Sequence, residues 1–117
     1  ETCLKPNEII TEISFPIPDK SAYIKFPNPA SRYAMVGVFV AKTGLDVKVA
    51  ITGASEDGVF RSSEIEKALS SDFSIESIQD IKIKSEGLIN DMHASRNYRA
   101  HLIIEMTKRA VVKINSI

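Results

Sequence analysis

His93 and His101 stand eight residues apart, with Asp91 two positions before the first, and such side chains could bind a metal or activate a nucleophile. Neither pattern is complete. No cysteine lies near either imidazole and the carboxylates around them are scattered, whereas a zinc centre needs three or four convergent ligands. A nucleophilic triad would add a serine to Asp91 and His93, yet no serine sits in a Gly-x-Ser-x-Gly elbow. A solvated or capping role accounts for both histidines. The carboxylates Glu56 and Asp57, like Glu64 and Glu66, are of the type that glycoside hydrolysis sets across a cleft, but turn and helix-face positions explain both pairs. Gly53, Gly58 and Gly87 form neither a Gly-x-Gly-x-x-Gly turn nor a phosphate-binding loop, so no nucleotide site is encoded locally.

Lys25 is the residue to carry forward. It lies on a short strand between two proline-bounded turns, and rigid backbone on both sides suits a contact. The competing account is a solvent-facing lysine that protects an edge strand from pairing. Arg32 and Arg99 divide in the same way, between a functional contact and surface or inter-domain ion pairing.

The elements that must position these groups follow from periodicity. Four strand-like segments come first and three helical ones follow, the order of an α+β fold rather than of repeated βαβ units. Residues 8–15 alternate, with Ile9, Ile13 and Phe15 on one face, before Pro16 and Pro18 stop the run, which predicts an edge strand. Residues 22–26 give a second short strand. Residues 33–43 are apolar on both faces except near their ends, predicting a central strand covered on each side, with Gly37 leaving room for a close neighbour. Leu45, Val47, Val49 and Ile51 then alternate with polar or small residues, and the turn at Thr43 and Gly44 makes the two segments a hairpin. A turn-rich loop over 52–60 leads to a short helix over 63–69, with Ser63 and Glu66 as its capping box. Ser74 caps a second helix whose Ile75, Ile78, Ile81 and Leu88 recur at helical spacing until Gly87 and Asn90, although residues 80–84 also alternate as a strand would. Tyr98, Leu102, Met106 and Ala110, flanked by Ile103, Val111 and Ile114, form the stripe of a last helix that lies on the sheet.

Composition bounds the function classes. The 117 residues suit one domain and are too few for a flavoprotein with its own dinucleotide fold. Fifteen basic residues balance fifteen acidic ones, so nothing electrostatic points to nucleic acid or to an anionic membrane. Cys3 is the only cysteine, which removes an internal disulfide or a thiolate cluster and makes a reducing, cytoplasmic setting the expectation. The longest apolar run, residues 34–41, falls far short of the roughly 20 needed to span a bilayer. No initiator methionine precedes Glu1, from which a fragment of a longer protein is expected.

Four stretches carry a resemblance. They are Leu4-Lys-Pro6-Asn-Glu8-Ile9-Ile10-Thr-Glu-Ile13 leading to Pro16; Tyr23-Ile-Lys25-Phe-Pro27-Asn-Pro29-Ala-Ser31-Arg32-Tyr33-Ala; Val49-Ala-Ile51-Thr-Gly53-Ala followed by Arg61-Ser-Ser-Glu64-Ile-Glu66-Lys-Ala68-Leu69; and Tyr98-Arg99-Ala100-His101-Leu102 with Lys108-Arg109-Ala110. Together they resemble, almost end to end, the C-terminal domain of the FAD-carrying medium subunit in the carbon monoxide dehydrogenase and xanthine dehydrogenase family of molybdenum hydroxylases. Val59 stands where the family often has proline, and the isoleucine- and lysine-bearing residues 78–84 replace its alanine-rich second helix.

The resemblance implies a small antiparallel sheet of three to four strands followed by three helices packed on one face. It implies a single C-terminal domain over residues 1–117, without the N-terminal domain that grips most of the FAD. Lys25 would sit beside the flavin and Ile10 against it, while electrons reach FAD from a molybdopterin-bearing large subunit through a small subunit carrying 2Fe-2S clusters. An oxidoreductase fragment of this kind is not expected to be active alone. The alternatives are a free-standing protein-interaction module without a cofactor and, more weakly, a small hydrolase, for which no suitable serine and histidine spacing exists.

Overall fold

The computed structural model of the chain describes residues 2–117; Glu1, the first residue of the expected domain, lies outside them. Four strands form one antiparallel meander in the order β1 (Lys20–Pro27), β2 (Ala34–Thr43), β3 (Asp46–Thr52) and β4 (Phe60–Arg61). Two helices complete the fold, α1 (Ser63–Ser71) and α2 (Arg96–Asn115). The α+β expectation therefore holds for the sheet and for the first and last helices.

Alternation sets the register. Val38 lies between Ile24 of β1 and Ile51 of β3, and Val40 lies between Ala22 and Val49, so one face of the sheet is a continuous apolar layer. That layer joins Ile65 and Leu69 of α1 with Leu102, Ile103, Met106 and Ala110 of α2 in one core, with α2 packed on β1 and β2 and α1 on β3. The β2–β3 hairpin closes through a two-residue turn, where Gly44 supplies a φ of 59°. Gly44 N–H also donates to Asp19 Oδ2 at 2.7 Å, which ties the start of β1 to the hairpin tip.

Four expectations are corrected. Residues 8–15 do not join the sheet; they run as an exposed extended arm, because the tie from Asp19 to Gly44 and the approach of Phe15, Pro16 and Pro18 to Phe39 and Ala41 lead the connector over the open face and away from the β1 edge. The fourth strand is instead the two-residue β4. The expected middle helix reduces to a single 3₁₀ turn, Glu76–Ile78, so the described residues hold two α-helices and not three. Ser74 Oγ does accept from Ser77 N–H at 3.3 Å, but Ile81 and Ile83 then both pack against the core, as the alternation of residues 80–84 allows and a helix would not. The central strand is covered along its whole length on one side only: Val36, Val38 and Val40 are fully buried, whereas on the other side Met35 and Gly37 are buried at the start of the strand but Phe39 points out and is 39% exposed.

Two local corrections follow. The cap of α1 is Ser62, whose hydroxyl accepts from Ile65 N–H, and not Ser63. Glu66 is no capping-box partner; it takes both Arg61 and the Val49 N–H, pinning α1 to β3. The expectation at Gly37 stands, since a β-carbon there would collide with Tyr23 Oη and Thr52 Oγ1, which face each other at 3.1 Å.

Candidate functional site

The features that could act on a ligand gather at the β1 to β2 connection. Asn28 starts that loop: its Oδ1 accepts from Ala30 N–H at 2.9 Å and from Ser31 N–H at 3.3 Å, a self-bonded turn typical of asparagine. Asn28 N–H donates to Tyr33 O at 2.7 Å and Arg32 N–H donates to Asn28 O at 2.9 Å, which closes the loop on itself. Arg32 is held at a φ of 66°, a conformation unfavourable for a long side chain. Lys25 reaches across from β1, and its Nζ donates to Arg32 O at 3.0 Å. The ammonium remains exposed while bracing the loop from outside. Tyr33, next along the chain, presents its ring to solvent at 80% exposure.

A buried cation supports the loop from below. Arg99 is 4% exposed; its Nη1 donates to Met35 O and to Gly53 O, and its Nη2 donates to both oxygens of Asp91 at 3.1 Å. Arg99 thus joins the start of β2, the end of β3 and the segment before α2. The Ala94 N–H holds the Asp91 carboxyl below its ordinary range; the His93 N–H and the Arg99 guanidinium add to this, while desolvation opposes it. Between these groups lies a cleft of about 240 Å³ lined by Asn28, Ser31, Tyr33, Gly53, His93 and Arg99.

A second, apolar depression of about 430 Å³ lies on the open face of the sheet, where Phe15, Pro16 and Pro18 of the arm approach Phe39 and Ala41. Ile10 sits on the arm, exposed, in a segment separate from Lys25.

The remaining candidates do not assemble. His101 stacks on Tyr98 of α2, with ring centroids 6.5 Å apart, whereas His93 sits in the loop before α2. Among the described residues no three His, Cys, Asp or Glu side chains could hold a metal. Glu56, Asp57 and Glu64 are exposed, and Glu66 is committed to Arg61 at 2.7 and 2.8 Å. Burial pushes the Glu66 carboxyl up, but the Arg61 and Val49 hydrogen bonds outweigh it, and the group titrates below its ordinary range.

The sequence reading did not single out Tyr33, since nothing in its type or spacing signals exposure. Arg99, left there between a functional contact and surface or inter-domain ion pairing, carries a signal of burial: it lies four and seven residues before Ile103 and Met106, on the apolar stripe of α2. Comparison with protein-family models, with curated proteins and with solved structures found no match to this chain.

Proposed function

We propose that this chain is the C-terminal part of the FAD-bearing medium subunit of a molybdenum hydroxylase of the carbon monoxide dehydrogenase and xanthine dehydrogenase type, where it covers the flavin held mainly by an N-terminal domain. The observation that carries the reading is the brace at the β1 to β2 loop, where Lys25 Nζ donates to Arg32 O and Tyr33 extends into solvent beside it. This group suits a planar, electron-accepting ring. A tyrosine face offers stacking area, and an exposed ammonium offers positive charge near the ring edge. Ile10, on the exposed arm, would supply an apolar contact from the other side.

FAD, when bound, supplies the electron-accepting chemistry; this chain's residues supply orientation, exclusion of water and charge. Lys25, fixed by the Arg32 carbonyl, would hold its positive charge beside the bound ring. Arg99 and Asp91 keep the loop from shifting, since three backbone segments converge on one guanidinium. The electron donors in this reading are the 2Fe-2S small subunit and, behind it, the molybdopterin large subunit.

A flavin absorbance titration tests the reading, first on this chain alone and then with an N-terminal flavin-holding domain joined to it. Binding only in the joined form is expected, and in that form Lys25→Ala lowers the flavin reduction potential while leaving folding nearly intact. No flavin binding with the joined domain folded, or an unchanged potential in Lys25→Ala, overturns it. A second reading, a protein-interaction module without cofactor, is favoured by the open sheet face and the exposed apolar arm. That module would bind a partner chain while the joined form takes up no flavin.

A further inference from the structure

The arm before β1 is built as a strand but has no strand beside it. Ile9, Ile10, Ile13, Phe15 and Ile17 are 65–89% exposed. Among the described residues, nothing hydrogen-bonds to the backbone of residues 9–18, because the local bonds involve only Leu4, Lys5 and Glu8 on one side and Asp19 on the other. An extended segment with open amides and an apolar face is a template for pairing. The fold also has an open edge, since β1 pairs with β2 alone.

We propose that the arm of one copy of this chain adds as an antiparallel strand to the β1 edge of a second copy, and that the exchange is reciprocal. Faces and charge select the register. With Ile13 set beside Ile24, Phe15 falls beside the small Ala22 and Thr11 beside Phe26, so the arm extends the apolar layer that β1 turns to the core. The same register places Glu12 opposite Lys25 on the open face, an opposite-charge cross-strand pair. Slipping by one residue would turn Ile13 and Phe15 to the open face and lose that layer.

The pairing is made in trans because the connector carries the arm away from the free edge of its own β1. Phe15, Pro16 and Pro18 lie over the open face beside Phe39 and Ala41, and Asp19 is fastened to Gly44 N–H at 2.7 Å. Net charge raises no obstacle, since fifteen cations meet fifteen anions in each copy. The proposal goes beyond the flavin reading and does not rest on it.

Sedimentation of the full chain from micromolar to millimolar concentration tests it, with amide exchange on the same samples. A dimer is expected, with the amides of Glu12 and Ser14, which face Lys25 and Tyr23 on the free edge of β1, protected only at concentrations where it forms. Deleting residues 2–17 gives a monomer that still unfolds cooperatively, since none of them belongs to the core. Glu12→Lys weakens the dimer about fivefold or more, and adding Lys25→Glu to it restores the affinity. A chain that stays monomeric with an unprotected arm overturns the proposal and leaves the arm to a different polypeptide. A dimer that survives the deletion overturns it too, because another surface then makes the contact. Failure of the charge reversal to restore affinity overturns the Glu12 to Lys25 register.

Discussion

Arg99 and Asp91 show how one residue pair can hold together segments that are far apart in the chain. The guanidinium is buried; Nη1 and Nη2 meet two carbonyls and one carboxylate, which offset much of its burial cost, while Nε is left without a partner. Asp91 is held below its ordinary value of 3.8 in the folded chain. A depressed carboxylate pKa contributes stability that is fully present above the unfolded value and is lost as pH falls through the folded one. The melting temperature should therefore drop between about pH 5 and pH 3, and Asp91→Asn should flatten that drop without abolishing it, since Glu66 is depressed as well. Thermal melts at stepped pH check this; an equally steep fall in the variant would show that Asp91 is not among the groups responsible. Lys25 differs from Arg99. It makes one exposed hydrogen bond to a backbone carbonyl, so its substitution should cost little stability.

At the scale of elements, the start of α1 separates two adjacent serines that sequence cannot distinguish. Ser62 accepts from Ile65 N–H, and Ser63 is already helical. Ser62→Ala should cost about 1 kcal/mol in urea unfolding and Ser63→Ala less than about 0.5 kcal/mol. The reverse order would restore Ser63 as the cap. The β2–β3 hairpin and α2 were legible in the sequence, because period-two alternation in residues 45–52 and period-3.6 spacing from Leu102 to Ala110 are strong local patterns. The segment from Ser74 to Asn90 was not. Its isoleucines fit a helix by spacing, but Ile81 and Ile83 also fit an extended run, and packing against the core selected the latter.

For the whole molecule, the consequential feature is a sheet with one covered face. Val38 and Phe39 are neighbours on β2, yet one is fully buried and the other partly exposed. Val38→Ala should destabilise the chain by about 2–3 kcal/mol through the cavity it leaves, while Phe39→Ala should cost about 1 kcal/mol or less. Similar costs at both positions would mean that the open face is covered in solution. In the flavin reading that face and the arm meet another domain; in the self-association proposal the arm meets the β1 edge of a second copy.

The sequence by itself determined the α+β order, three of the four sheet strands, the first and last helices, and the lack of local patterns for metal, triad or nucleotide-loop chemistry. These follow from short-range periodicity and from residue types that are present or missing. Only the tertiary structure decided that residues 8–15 stand apart from the sheet, that Arg99 is buried against Asp91, and that Tyr33 is exposed beside Lys25. Each of these depends on which distant segments come to lie against one another. Strand pairing and burial are set by long-range packing, and a local pattern records the propensity to pair without naming the partner.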